Sequence, residues 1–441
     1  MRGYRKLELA LALAAGSIAM LLPTAAAAQA YFEDRAGREG PGFKAGRLVL
    51  HPGLSLEGGY DSNVFLQNTG ENDSFILRLT GYLDVATEGS ERQGEGDTSA
   101  VEPQKIEFRG GLGGSFYHYF DKRVADNAAA DAHIDFAYNP STVFTLRLAD
   151  QFRRLIRPFS NPNTVDGTTI SYGRNMNTAS VDFIGRSKSK VLEGQVGYAN
   201  RYAFYDSNIY RYADTMTHRV PASFSWSFFP SSALVYDFVY AGQRYSAERI
   251  ATSPTLLSNS NRVSNSIGYN GAITERFSLT ASIGYAFGLY DLGSDFDGVI
   301  ARVEARWQPR PTITLSGGYD RDFVSSYIGN FYLMDRLYLN TSFLVSGALE
   351  LGVKAWVAFN KSGLAVTPDG TFLGTQPYRK DIRVWTAFFA EYRFRAWLAL
   401  FGELGYLADF TNFEYTGVQP LVTPVASYQK FQAWLGLRVF Y

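Results

Sequence analysis

The sequence predicts an all-β fold: a transmembrane antiparallel β-barrel of about 18 strands. Three observations lead to this fold class. Apolar and polar residues alternate with a period of two through most of the chain, the connections between the alternating segments switch between short and long, and aromatic residues make up 15% of the sequence.

The alternation begins after residue 45. Within one segment Phe75, Leu77 and Leu79 alternate with Arg78 and Thr80. Because successive side chains of a strand point to opposite faces, each segment has one apolar and one polar face. The predicted strands span 46–60, 73–85, 104–120, 127–138, 142–157, 174–185, 190–203, 214–228, 232–244, 261–273, 276–290, 297–308, 311–323, 331–345, 348–360, 380–394, 397–408 and 426–441.

The length of the connections follows the parity of the segments. Linkers after even-numbered segments are mostly short, such as 139–141 and 309–310, whereas those after odd-numbered segments are longer and polar, such as 158–173 and 361–379. Outer-membrane barrels have short periplasmic turns, long external loops and an even number of strands. One linker breaks the rule: residues 86–103 are acidic and glycine-rich, and we interpret them as a mobile periplasmic insertion.

The composition suits a wall in contact with lipid. Inside a bilayer every backbone N–H and C=O must be paired within the protein, so a sheet must close on itself. Its exterior is then apolar, with aromatic girdles at both interfaces, in line with the 29 Tyr and 33 Phe. Lys+Arg and Asp+Glu balance at 42 each, which gives no electrostatic argument for a nucleic-acid partner. The absence of cysteine excludes disulfides and thiolate sites.

The first thirty residues predict a secretory signal peptide. Three basic residues within the first six positions precede an apolar run at 9–22 and a stretch of small residues. The run is shorter than the roughly 20 residues that a membrane-spanning helix needs. We expect cleavage after Ala30, with Ala28 as the alternative. Residues 31–45 then form a short periplasmic segment, and 46–441 form the barrel.

The C-terminal segment resembles a barrel assembly signal. Apolar residues occupy every second position back from an aromatic last residue, a pattern by which the barrel-assembly machinery recognises its clients. A buried strand of a soluble protein is the alternative. The predicted assembly signal comprises Phe431, Leu435, Leu437, Val439 and Tyr441.

One motif carries a family resemblance. Residues 58–65 read GGYDSNVF, which resembles the G-Y-D-x-N-V-F opening of the β-barrel porin type 2 family, often found in exopolysaccharide loci of Gram-negative bacteria. The resemblance implies an outer-membrane component of polysaccharide export or assembly. Related strings at 205–209 and 317–323 are expected, like the first, at the outer ends of strands.

Two interpretations of these repeated strings remain open. One is a rim turn, with Tyr at the interface and Asp or Asn supplying the turn geometry. The other is a rim that binds sugar or calcium. The candidate rim residues are Tyr60, Asp61, Asn63, Tyr205, Asp206 and Asn208.

If the apolar faces contact lipid, the polar faces line the lumen. Charges there can bias the passage of solutes, or they can simply pair across neighbouring strands. The candidate lumen-facing residues are Arg78, Asp84, Glu107, Arg109, Asp131, His133, Asp135, Arg147, Arg302, Glu304, Arg306, Arg336, Arg383, Glu403 and Arg438. Five aromatic residues on the same face are candidate sugar contacts or packing residues: Tyr82, Tyr117, Tyr119, Trp385 and Trp434. An inward fold of loop 361–379 would narrow the channel.

The sequence contains no recognisable catalytic motif. None of the four His lies in an H-E-x-x-H context, and no G-x-S-x-G serine occurs. Asp131, His133 and Asp135 share one strand face, which would suit a metal or acid–base site, but alternation alone produces such triplets. The glycine-rich run 110–114 lies in a strand with no following helix, so it is not a phosphate loop. We therefore predict no enzyme, metal or cofactor.

Three function classes remain open from the sequence: a channel or component for exopolysaccharide export, a general small-solute diffusion porin, and a non-conducting structural or assembly barrel. An outer-membrane hydrolase is a fourth, more distant class. The expected location is the outer membrane. The expected partners are outer-membrane lipid, the barrel-assembly machinery, polysaccharide and periplasmic export partners.

Overall fold

The chain forms one antiparallel sheet that closes on itself. The computed structural model describes residues 40, 42–88, 104–156, 173–248, 256–326, 329–411, 413–414 and 427–441. The strands are β1 Phe43–Ala45, β2 Leu48–Asp61, β3 Ser74–Thr87, β4 Ile106–Tyr119, β5 Asn127–Ser141, β6 Phe144–Leu155, β7 Arg174–Arg186, β8 Leu192–Tyr205, β9 Thr215–Phe229, β10 Ser232–Arg244, β11 Ser260–Thr274, β12 Phe277–Tyr290, β13 Phe296–Arg310, β14 Ile313–Ser325, β15 Phe331–Val345, β16 Leu349–Leu364, β17 Tyr378–Arg395, β18 Leu398–Thr411 and β19 Tyr428–Phe440. Each of β2 to β19 pairs with its sequence neighbours, and β19 pairs with β2.

This wall confirms the predicted fold class, a closed antiparallel 18-strand β-barrel. The predicted segments coincide with β2 to β19 to within a few residues. The sequence did not indicate β1, which lies in the segment expected to precede the barrel. Among the described residues, no helix is long and apolar enough to cross a membrane.

Strand β1 completes the seam where the barrel closes. Strand β19 pairs with β2 from Gly53 onward, and β1 pairs with Leu48 to Leu50 on the same edge. The Phe43 ring stacks on the Tyr441 ring with a centroid distance of 4.1 Å, and the Tyr441 backbone N–H donates to the Pro52 carbonyl. An unpaired strand edge leaves backbone N–H and C=O groups free. Strand β1 therefore protects the first residues of β2, Leu48 to Leu50, which β19 does not reach.

Short turns and long loops lie at opposite ends of the barrel. The end that carries β1 and Tyr441 has connections at 142–143, 230–231, 275–276, 311–312 and 396–397. The other end has the longer loops 62–73, 206–214 and 365–377. The predicted alternation is therefore confirmed, and the long loops mark the outer end. The predicted signal peptide at 1–30 and most of the predicted insertion at 86–103 lie outside the described residues.

The two faces of the wall differ in polarity. Large apolar side chains are exposed on the exterior; Leu112 and Phe75 are both 65% exposed. Of the predicted assembly signal, Phe431, Leu435, Leu437 and Val439 share this exterior face, while Tyr441 follows the last residue of β19. Their role in assembly stays a prediction.

Glycines on the inner face let polar side chains meet across a strand. Gly111 of β4 lies between Asp84 of β3 and His133 of β5, and a Cβ at this position would collide with both side chains. Because Gly111 has no Cβ, the two side chains can approach each other, and His133 Nε2 lies 3.3 Å from Asp84 Oδ1. The glycine-rich run 110–114 is thus part of the wall, as expected.

Gly284 of β12 offers a test of this close packing. A Cβ there would collide with the Asn265 carbonyl oxygen and with the Ser266 backbone. Since backbone atoms in a sheet cannot rotate away, we expect Gly284→Ala to lower the free energy of unfolding by about 1–3 kcal/mol. Urea unfolding in detergent micelles measures this change. The control is Gly58→Ala, where a Cβ meets nothing within 4 Å; equal losses in both variants would contradict the explanation.

Candidate functional site

The inner face of the barrel is the candidate functional site. All the predicted lumen-facing residues lie on strands, on the face opposite to the exposed apolar side chains. What they do for passage stays a prediction. Two sectors of the wall that they form differ in exposure.

The sheltered sector comprises β17, β18, β19, β2 and β3. Its ion pairs join neighbouring or next-but-one strands: Arg78 with Glu57, Lys430 with Asp61, Arg383 with Asp409, and Arg438 with Glu391. Each of these side chains is at most 8% exposed. A desolvated charge is costly without its partner, so these pairs fix the wall in one arrangement.

The accessible sector comprises β5 to β15. Arg262 of β11 reaches Asp322 of β14, whose side chain is 45% exposed, with 2.5 Å between Nη2 and Oδ1. This contact passes over β12 and β13, so it follows the concave side of the wall. Arg147 pairs with Asp135, and the side chains of both are partly exposed. The side chains of these two pairs are partly open to water, whereas those of the four sheltered pairs are not.

Pairing therefore accounts for many of the predicted charges. Arg302 and Arg336 both contact Asp320, at 3.5 Å and 2.5 Å. Glu107 accepts a hydrogen bond from the Gln104 backbone N–H, at the end of the barrel that has the short turns. The remaining predicted residues line the inner faces of their strands: Arg109 on β4, Arg306 on β13 and Glu403 on β18.

The triplet on β5 does not assemble a metal site. His133 approaches Asp84, Asp135 pairs with Arg147, and Asp131 lies over Gly113. The described residues contain no group of three or more His, Asp or Glu that could hold a metal ion. Each of the three side chains turns to another strand, because the nearest positions on the same face of β5 are two residues, or about 7 Å, away.

Loop 62–73 folds into the outer mouth. Val64 and Phe65 are buried against inward-facing residues of β3, β4 and β5. Leu66 packs against Tyr205, at the end of β8, and Tyr428, at the start of β19. Because these two strands lie on either side of β2, the loop covers part of the mouth.

Two buried residues hold this loop in place. The Asn63 side-chain nitrogen donates to the carbonyl oxygens of Gln67 at 2.7 Å and Gln429 at 2.9 Å, and its oxygen accepts from the Gln67 N–H at 2.8 Å. The Asp61 carboxylate accepts from the Asn63 N–H and pairs with Lys430 at 2.7 Å. Both side chains are fully buried. Tyr60, on the exterior face, donates to Asp73 at 3.1 Å.

The other two copies of the motif differ from the first. At the end of β8, Tyr205 is buried against Leu66, Asp206 pairs with Arg154 at 2.6 Å, and Asn208 begins a 3-10 turn. The string at 317–323 lies in the outer half of β14 and ends two residues before Ser325, the last residue of the strand, so it belongs to the wall and not to a turn. Its Asp320 is engaged by two arginines of the wall and therefore does not form a turn.

Loop 365–377 is hydrogen-bonded to two other segments at the outer end of the barrel. Val366 pairs with Phe372 in a small hairpin, and its carbonyl accepts from the Leu256 N–H. The Thr375 N–H donates to the Glu414 carbonyl. The loop therefore bonds to its neighbours on two sides.

These features define the class of protein: an outer-membrane β-barrel. In the hydrocarbon core of a membrane every backbone N–H and C=O must be paired within the protein, and a closed wall with an apolar exterior provides this. The charged side chains then lie on the inner face of the wall, toward the lumen. The short turns lie at one end and the long loops at the other, as in barrels of this membrane.

Comparison with known proteins adds no family. No protein-family model and no curated protein matches the chain. Among solved structures, the apoprotein form of the FrpB iron transporter from Neisseria meningitidis (F5-1 variant) is 9% identical over 91% of this chain and 82% of that chain, with a TM-score of 0.46. The outer membrane protein OpdK from Pseudomonas aeruginosa is 9% identical over 89% and 99%, with a TM-score of 0.43. OccAB4 from Acinetobacter baumannii is 12% identical over 89% and 98%, with a TM-score of 0.44. Likeness at this level carries no argument about function.

Proposed function

We propose that the chain is a porin-like channel of the outer membrane that takes part in exopolysaccharide export. One observation supports the proposal of a channel: the sector from β5 to β15 presents partly exposed charges inside a closed wall. A barrel of this strand number encloses enough space for an aqueous path. The proposal assigns the barrel no catalytic role.

The polysaccharide part of the proposal is supported by the resemblance at residues 58–65. Residues of this motif, Asp61 and Asn63, hold the loop that covers part of the outer mouth. An export channel needs a mouth that opens for a polymer, and a loop held by the two buried side chains of this motif suits that need. The proposed partners are polysaccharide, periplasmic export proteins, the barrel-assembly machinery and outer-membrane lipid.

Single-channel recording tests the channel. We expect the refolded mature chain to give stable open steps in a planar bilayer, because the accessible sector provides a wetted path. Heat-modifiable migration of the same sample establishes that it is folded. Persistent silence from folded protein would contradict an intrinsically open channel.

A non-conducting structural or assembly barrel is the second candidate. The packing of Val64, Phe65 and Leu66 in the mouth favours it, because the same contacts that narrow a channel would close one. Silence that persists after this loop is shortened would favour this candidate. A general small-solute porin, the third class, would conduct and support solute uptake without periplasmic export partners.

A further inference from the structure

We propose that Tyr338, Trp356 and Trp385 form a binding platform for a pyranose chain on the inner wall. This aromatic platform deepens the proposed function, since it names the sugar-contacting surface of the same lumen. Trp385 was a candidate from the sequence, whereas Tyr338 and Trp356 emerge only from the strand register.

The register places the three rings in one row. Tyr338 of β15 is the cross-strand partner of Trp356 of β16, and Trp356 is the partner of Trp385 of β17. The two tryptophan rings lie 6.3 Å apart between centroids with 26° between their planes. Directly paired side chains on a sheet are about 5 Å apart, so the row offers a surface about 10 Å wide, near the middle of the strands.

Polar groups border the row on the side of β13 and β14. The Tyr338 hydroxyl donates to Glu304. Arg302 and Arg336 lie against Asp320, and these side chains stay between 14% and 32% exposed. Guanidinium and carboxylate groups supply the donors and acceptors that sugar hydroxyls require. An aromatic surface with a few convergent polar groups is the composition of a small-molecule site.

The exposure of the rings separates this row from ordinary packing. Phe296 and Phe323, at the outer end, stack on each other and are buried. Trp356 and Trp385 remain partly exposed although they face inward. The C–H face of a pyranose ring would cover the part of each ring that remains exposed.

Calorimetric titration of the folded chain in detergent micelles tests the platform. The probes are three linear hexasaccharides: cellohexaose, maltohexaose and a hexamer of uronic acids. We expect at least one to bind, and we expect Trp356→Ala and Trp385→Ala each to weaken that binding by about tenfold or more. Trp385→Phe, which keeps a ring, should recover most of the affinity. The matched control is Trp307→Ala, since Trp307 is 49% exposed on the exterior.

A second variant covers the case in which the alanine variants do not fold. Glu304→Gln keeps all three rings and should weaken binding of the same hexasaccharide severalfold, because it removes a charged acceptor. No binding by any of the three probes, or an equal loss in Trp307→Ala, would overturn the platform. Sugar binding without channel current would contradict the proposed channel but support the platform. Channel current without sugar binding would support the channel but contradict the platform.

Discussion

Replacing residues 64–71 by a short Gly-Ser linker should raise the single-channel conductance about twofold or more. Val64, Phe65 and Leu66 pack against inward-facing residues at the outer mouth, so their removal opens the part of the mouth that the loop covers. Planar-bilayer recording measures the effect. The control is a change of equal kind in the turn 187–191, at the opposite end of the barrel.

Asn63→Ala is the single-residue form of this experiment. The side chain makes three hydrogen bonds while fully buried, and leaving their partners unmatched costs about 1–3 kcal/mol. We expect the loop to leave the mouth more often, which would appear as more frequent transitions between current levels. Unchanged conductance in both variants would show that loop 62–73 does not limit passage.

Asp409→Asn should lower the free energy of unfolding by about 3–5 kcal/mol. The carboxylate is fully buried and contacts Arg383 at 2.7 Å and Arg379 at 3.3 Å. The substitution keeps the shape but leaves two buried guanidinium groups with one negative charge fewer. The midpoint of urea unfolding measures the loss.

Asp322→Asn provides the matched control for the buried pair. Asp322 also pairs with an arginine on the inner wall, but its side chain is 45% exposed. Water can replace the lost contact, so the expected change is within about 1 kcal/mol. Similar losses at the two positions would contradict the division of the wall into a sheltered and an accessible sector.

The strands could be predicted from the sequence because their signal is local. Alternation such as that around Leu77 and Arg78 depends only on the pleat of a strand, and turn residues such as Pro140 mark the ends. The length of the connections then gave the orientation of the barrel. None of these features depends on how distant strands meet.

The arrangement inside the lumen could not be predicted, because it depends on closure. Lys430 was not a candidate, since its partner Asp61 lies on β2, whose register with β19 is set only when the barrel closes. The inward packing of Leu66 needs Tyr205 and Tyr428 to be brought together by the curved wall. Alternation placed Asp320 on the polar face, but it could not tell that two arginines of the wall, Arg302 and Arg336, would engage it.

The seam at β1 has a consequence for the connectivity of the chain. Gly40 lies against the backbone of Tyr441, so a short linker could join the two without crossing the wall. New ends could then be opened in an outer loop such as 206–214 while every strand pair is kept. Such a circular permutant would move the segment 431–441 to the interior of the chain. It would separate the contribution of that segment as a terminal signal from its contribution as a wall strand.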